Sequence, residues 1–315
     1  MNAPRRWDLL AFGDPCADVV VAIPEVPRLG EKVLGRSLGV FAGGTTANTA
    51  CAFAKLGRSA AVCGRVGDDG YATLLRASLY GFGVDTEYLH TEPNSASASV
   101  IALVSPSGER SIVYMPMPPR GLQAETLAAA ARQARVFYAM PYDLGEFVAA
   151  SRIARDNGAL VAIDLEAAVA PDREAMQQRI AHADIAFFNE SGFVAGTGEA
   201  PTPAALAALL EAGLQTVVVT LGAAGAMAAS RGAFAQHPAF AQAVLDTTGA
   251  GDTFNAAFLA AMLEEQSLQA GLRFACAAAS HAVTAVGARS GMPDRATVDR
   301  TLATQQPSAT RERPC

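Results

Sequence analysis

No two cysteines in this chain stand at metal-binding or redox spacing. The five, Cys16, Cys51, Cys63, Cys276 and Cys315, are scattered and odd in number. That argues against a disulfide framework or a zinc ribbon, and for reduced thiols in the cytoplasm. The four histidines show no ligand spacing. No apolar run reaches the roughly 18 residues of a membrane span. The first such run, Leu9 to Phe12, stops at Gly13-Asp14, so no signal peptide is expected. GxxxxGK[ST] is absent, which argues against a P-loop NTPase. Charged residues are only 17% and the net charge is −6, so a nucleic-acid backbone is not an expected partner.

What the chain does have is apolar mass. Hydrophobic residues make up 51% of 315, enough to bury the core of one large α/β domain or two small ones. From Leu122 onward helical and strand-like segments alternate. Helices are expected at 122–135, 144–157, 172–181 and 203–211, with strands at 136–139, 160–164, 185–188 and 216–220. A hairpin around Arg231-Gly232 and helices at 252–263, 268–286 and 294–303 complete the series. Such alternation means βαβ units, a mostly parallel sheet covered on both faces, and ligands beyond the carboxyl ends of the strands. The earlier strands (7–12, 19–23, 32–41, 60–66, 97–104 and 110–115) break the alternation and are expected to form a small separate sheet. Residues after Thr304 read as a polar tail.

The most informative stretch is Asp246-Thr247-Thr248-Gly249-Ala250-Gly251-Asp252-Thr253-Phe254-Asn255. Small residues directly precede an apolar helix, Phe254 to Leu263. The first N–H groups of that helix lack intrahelical partners and carry the positive end of its dipole, so a phosphate can approach Gly249, Ala250 and Gly251. An aspartate inside such an anion hole would repel the phosphate. Its useful role is as a base, taking the proton from a hydroxyl that attacks that phosphate. A plain helix cap is the alternative for Asp252. Gly249-Ala250-Gly251 also resembles the start of a dinucleotide fingerprint, but the third glycine would fall at Phe254.

Four weaker signals accompany it. Gly43-Gly44 before a helix, with Asn48 one turn on, suits a polyol, since an amide both donates and accepts; a tight turn into a small-faced helix reads equally well. Asp14 and Asp18 end the first strand and either accept hydroxyl hydrogen bonds or form an ordinary acidic loop. Thr220, Gly222 and Gly225 follow a strand as a nucleotide loop would, or as any glycine-rich loop does. Asn189-Glu190 ends another strand at the same edge, where it could serve nucleotide or Mg²⁺ waters.

In order and motif, nearly the whole chain resembles the PfkB, or ribokinase-like, family of carbohydrate kinases. Gly43, Gly44 and Asn48, then Gly67-Asp68-Asp69, then Thr220-Leu221-Gly222 lead to the Asp246–Phe254 signature. The resemblance implies a ribokinase-like three-layer α/β/α sandwich over residues 1–304. Its central sheet would be mostly parallel, with a small β-sheet lid (about 19–41 and 97–115) that pairs two copies into a homodimer. It implies Asp252 as catalytic base, Gly249 to Gly251 as anion hole, and sugar contacts at Asp18, Gly43, Gly44 and Asn48. Thr220, Gly222 and Gly225 would meet ATP, with helix 268–286 walling the adenine pocket. Asp246, the Thr248 carbonyl and Gly287 match a K⁺ site of cation-activated members.

The chain departs from the family pattern in three places. Cys16 replaces an asparagine typical of ribokinases, and Thr45-Thr46 replaces Lys-Gly, which argues against ribose itself. Gly192 stands where an Asn-x-x-Glu motif for Mg²⁺ water has its acid, leaving Glu190 as the substitute. Arg110 could meet an anionic group on a sugar acid, or be a solvated lid charge. The expected activity is phosphorylation of a primary hydroxyl of a small sugar or sugar acid. The alternative is a nucleoside kinase of the same fold, which would need Phe41, Tyr114 and Tyr142 as a stacking surface.

Overall fold

The computed structural model describes residues 5–106, 110–118 and 123–304. The expected tail, 305–315, lies outside them. The chain opens with β1 (Trp7–Phe12), β2 (Cys16–Ala22) and β3 (Arg36–Gly43), then α1 (Thr45–Lys55), β4 (Ala60–Val66) and α2 (Gly70–Gly81). Next come β5 (Leu89–Thr91), β6 (Ser99–Val104), β7 (Arg110–Met115) and α3 (Ala124–Ala131). The alternating part runs β8 (Ala134–Ala139), α4 (Leu144–Asp156), β9 (Leu160–Leu165), α5 (Arg173–Ile180), β10 (Ile185–Asn189), α6 (Glu190–Thr197), α7 (Pro203–Glu211) and β11 (Thr216–Thr220). The hairpin β12 (Ala226–Ser230) and β13 (Ala233–His237) precedes α8 (Ala250–Leu263), α9 (Leu268–Ala282) and α10 (Arg295–Thr304).

Nine strands form one sheet in the order β13-β12-β11-β10-β9-β8-β1-β4-β5, parallel from β11 to β5 and antiparallel in the terminal hairpin. Its central strands are apolar on both faces because each face is covered by helices. Successive side chains point to opposite faces. Leu9, Tyr138, Phe187 and Val218 therefore pack with α1, α8 and α9, and Leu10, Phe137, Phe188 and Val217 pack in the opposite layer. The result is a three-layer α/β/α sandwich. Among the described residues no helix is long and apolar enough to cross a membrane.

The early strands divide differently from the sequence expectation. Only β2, β3, β6 and β7 make the small sheet, ordered β3-β2-β6-β7. The β1 strand lies between β8 and β4 inside the large sheet, where Leu9, Leu10 and Ala11 are fully buried. The short α6 and β5 have no counterpart in the sequence reading. Gly192 and Gly196 make α6 read as a loop, and β5 is a three-residue edge strand.

Because β1, β8, β9, β10 and β11 run parallel, their carboxyl ends share one edge. There the small sheet, the loop before α8 and one face of α9 enclose a cavity of about 1210 Å³. Single-ligand pockets run about 300–1,000 Å³, so two small molecules fit side by side.

Candidate active site

The cavity brings together most of the residues singled out in the sequence: Asp14, Asp18, Gly44 and Asn48 at one end, Thr220, Gly222 and Gly225 at the other, and Gly249 to Asp252 between them. Gly249 has φ 76°, a left-handed conformation, and α8 starts directly after it with no side-chain cap. A Cβ on Gly249 would overlap the Ala288 carbonyl oxygen, so the turn requires glycine. The Ala250 N–H is taken by the Thr247 carbonyl at 3.2 Å, and Thr253 N–H by Gly249 at 2.9 Å. Of the expected anion-hole donors, Ala250 is therefore already engaged. The first-turn N–H groups of Gly251 and Asp252 are left for a ligand.

Asp252 carries its carboxylate into this ring of protein. Burial pushes it up to about 7. The Asn48 hydrogen bond and the Arg289 charge pull it down, while Glu166 and Asp18 push it up. Asn48 Nδ2 donates to Asp252 Oδ2 at 2.8 Å, and Asn48 Oδ1 accepts from Arg289 Nε at 2.8 Å. The amide expected to meet a polyol thus already has one protein partner on each side. Arg289 is missing from the sequence reading. It sits 241 residues from Asn48, in a segment with no motif to flag it.

Asp18, on β2, is also raised, to about 6, chiefly by burial, with Cys16 and Arg289 opposing. Asp14 has a fixed partner. Arg65 Nη2 meets Asp14 Oδ2 at 2.7 Å, and the Arg65 backbone N–H donates to Asp14 Oδ1 at 2.7 Å. Gly43 closes β3 and gives its carbonyl to Arg289 Nη2 at 2.9 Å. Arg110 begins β7, but its side chain lies outside the described residues. Behind Asp252, Asn255 Nδ2 donates to Asp164 Oδ2 and to the Tyr138 hydroxyl, each at 3.0 Å. This buried trio ties α8 to β8 and β9, and its members are too far apart in sequence to be recognised there.

At the other end, the turn Gly222–Ala224 follows β11, and Leu221 N–H closes onto the Gly225 carbonyl at 2.8 Å. Cys276, Ala279 and Ser280 from one side of α9, and Val283 at its C-cap, line the cavity at helical spacing. Asn189 serves as the N-cap of α6, accepting from the Gly192 N–H at 2.7 Å and the Ser191 hydroxyl at 3.0 Å. Glu190 lies on the exposed side of the same turn and borders the cavity. Asp246 Oδ1 accepts from the Thr248 N–H at 2.8 Å, and Oδ2 from the Gly287 N–H at 2.9 Å. The three residues matched to a cation site therefore form one clasp beside the N-terminus of α8.

At the cavity mouth, Tyr114 of β7 packs on Tyr142 with ring centroids 5.7 Å apart and planes inclined by 32°. Burial raises the thiol of Cys51 to about 11 and those of Cys63 and Cys276 to about 12. None of the three is a thiolate at neutral pH.

The profile of the pfkB family carbohydrate kinases matches residues 8–295. A ribokinase of Bacillus subtilis (strain 168) is 33% identical over 305 residues, covering 94% of this chain and 99% of that protein. A fructokinase of Klebsiella pneumoniae is 30% identical over 283 residues, covering 82% and 91%. The structure of Arabidopsis thaliana ribokinase complexed with ribose and ATP superposes with a TM-score of 0.84 at 29% identity, covering 94% of this chain and 98% of that one.

Proposed function

This chain belongs to the pfkB family of carbohydrate kinases, and from that premise we propose that it transfers the γ-phosphoryl group of ATP to a primary hydroxyl of a small neutral sugar, with Asp252 as the base. One observation carries the reading. A carboxylate raised to about 7 stands at the uncapped N-terminus of α8, on the wall of a cavity whose volume of about 1210 Å³ holds both sugar and nucleotide. A base poised near neutrality removes a proton and releases it again at the working pH.

The acceptor lies against Asp18, Gly44 and Asn48, its hydroxyl at the Asp252 oxygen that Asn48 does not occupy. Asp252 takes the hydroxyl proton and the sugar oxygen forms its bond to the γ-phosphorus. The bond from that phosphorus to the β–γ bridging oxygen breaks, and ADP leaves. The N–H groups of Gly251 and Asp252 and the helix dipole stabilise the charge on the transferring group. Thr220, Gly222 and Gly225 position the nucleotide, with α9 against the adenine.

ATP would arrive with Mg²⁺, which neutralises the developing phosphate charge. No three described His, Cys, Asp or Glu side chains converge on a metal site of their own. That suits a cation held mainly by phosphates and water, with one or two carboxylates. Glu166, just past β9, is the better-placed carboxylate than Glu190. It is half-buried, borders the cavity, and is raised by burial alone. Gly192 has no room for an acid. A Cβ there would overlap the Leu165 carbonyl and come within 2.9 Å of Glu166 Cα and 3.0 Å of Asn189 Oδ1. Glu166 would thus stand in, from the adjacent strand end, for the acid missing from α6. K⁺ at Asp246, Thr248 and Gly287 would stiffen the clasp beside the anion hole.

Charge supports a neutral sugar. The described cavity lining includes Asp18, Glu166, Glu190 and Asp252 and no Lys or Arg. A sugar carboxylate would meet repulsion there. Tyr114 and Tyr142 spend a ring face on each other, which favours a sugar over a nucleoside. The lid also supports a homodimer. Val40, Val19, Ile101 and Val113 are successive partners across all four strands. The neighbouring row, through Asp18, Val100 and Tyr114, faces the cavity, so this apolar row faces outward, with Val40 42% and Val113 52% exposed.

The test is ADP release with Mg²⁺-ATP across ribose, fructose, 2-keto-3-deoxygluconate, adenosine and pseudouridine, each beside Asp252→Asn. Turnover on ribose or fructose that the variant abolishes supports the reading. Turnover only on the acid or on a nucleoside replaces the acceptor class.

A further inference from the structure

We propose that Arg289 is the positioning residue of the acceptor end, locking the Asn48 amide so that its NH₂ faces Asp252 and one carboxylate oxygen stays free for the sugar hydroxyl. The inference rests on the kinase reading for its consequence in catalysis, but its geometry stands without it.

Arg289 is 7% exposed and uses every nitrogen of its guanidinium. Nε donates to Asn48 Oδ1 at 2.8 Å, Nη1 to Ser78 Oγ at 2.7 Å, and Nη2 to the Gly43 carbonyl at 2.9 Å. The planar fork therefore joins three elements, the last residue of β3, the first turns of α1, and α2. A lysine has no such fork and no second or third fixed direction.

The Nε bond decides which way the Asn48 amide points. In the observed orientation Oδ1 meets a donor and Nδ2 meets a carboxylate. Reversed, the amide NH₂ would face Arg289 Nε–H and its oxygen would face Asp252, leaving two like pairs in a buried place. Each unmade bond of that kind costs about 1–3 kcal/mol. The orientation is thus set before any sugar arrives. Oδ2 of Asp252 is committed to Asn48, which assigns proton removal to the other oxygen.

Arg289 also supplies charge. The groups acting on Asp252 are Asn48 on α1, Asp18 on β2, Glu166 past β9, and Arg289. Asp164 and Tyr138 are coupled to it from the buried trio. Every ionisable member of this set other than Arg289 is an acid. Arg289 lowers both Asp252 and Asp18. Removing it should move the titration of Asp252 upward, so that less of the base is ready at neutral pH.

The experiment follows the carboxyl carbon of Asp252 by ¹³C NMR through a pH titration, its signal identified by its disappearance in Asp252→Asn. It compares wild type with Arg289→Gln and Arg289→Lys, and pairs each titration with the pH dependence of kcat. In Arg289→Gln both midpoints are expected to rise by about one unit, a tenfold loss of rate on the acid side. Arg289→Lys keeps the charge and loses the fork. Its midpoint should stay near wild type while the sugar KM rises severalfold. ATP affinity should be unchanged in both. An Asp252 midpoint that does not move in Arg289→Gln overturns the proposal, as does a loss of kcat uniform across pH. If Arg289→Gln does not fold, Arg289→Lys with unchanged sugar KM overturns it equally. The NMR titration needs no turnover, so absence of kinase activity would fail the kinase reading without touching this result.

Discussion

Asn48 Nδ2 donates to Asp252 Oδ2 at 2.8 Å across 204 residues of sequence, joining the glycine-rich element after β3 to the first turn of α8. That hydrogen bond ties the proposed acceptor end to the proposed phosphoryl end. It also leaves Asp252 with a single free oxygen, so a change at either residue should be felt at the other.

Asp252→Asn should lower kcat by at least about a thousandfold, in the range expected when a general base and its charge are removed together. Sugar affinity should stay within severalfold. Steady-state kinetics with isothermal titration of the sugar separates the two, and wild-type kcat in the variant would remove Asp252 as the base.

The rate should fall as pH drops below about 7, where Asp252 becomes protonated. Stability should move the opposite way. Its folded midpoint lies above that of an unfolded aspartate, so the folded state holds the extra proton between the two values. The group's stabilising contribution is full below about 4 and is lost as pH rises through 7. At pH 8 Asp252→Asn, with no buried charge, should be more stable than wild type by about 1 kcal/mol. Thermal melts at pH 5 and pH 8 check this, and an equal difference at both would contradict it.

Glu166→Gln should raise the Mg²⁺ concentration needed for half-maximal ATP binding about tenfold, because the neutral amide no longer offers the cation and its waters a charged acceptor. Glu190→Gln should shift it less than twofold. Calorimetric titrations of ATP at several Mg²⁺ concentrations read this without turnover, and the reverse ranking would return the role to Glu190.

Much of this fold is legible in the sequence because punctuation and burial agree. Strands β1, β4, β7 and β11 and helix α7 fall where the sequence places them, each an apolar or β-branched run ending near a turn residue or cap. The distribution of strands between two sheets is not legible, because pairing joins β1 to β4 across a whole lid strand pair. The Asp246–Phe254 motif points to Asp252 and its helix end. It cannot reveal Arg289, Glu166 or the Tyr138–Asp164–Asn255 trio. Arg289, Glu166, Tyr138 and Asp164 are single residues without a local pattern, and Asn255, though it closes the motif stretch, has partners that only the folded chain brings to it. Asn189 is legible as a polar residue at a strand end, but its oxygen caps a helix that Gly192 and Gly196 hide.

Val113→Asp should leave a monomer if the outward row of the lid is a dimer interface, because a charge would then be buried without a partner. Sedimentation velocity at micromolar protein decides. A wild-type monomer, or a variant that still dimerises, would exclude that face.

The most direct measurement is the ³¹P NMR spectrum of the product formed from Mg²⁺-ATP and the best neutral sugar, for wild type and Asp252→Asn. The account predicts ADP and one new phosphomonoester, its signal split by two methylene protons, in wild type alone. An ester on a secondary carbon, an ester formed equally fast by Asp252→Asn, or no ester with ATP bound would contradict it.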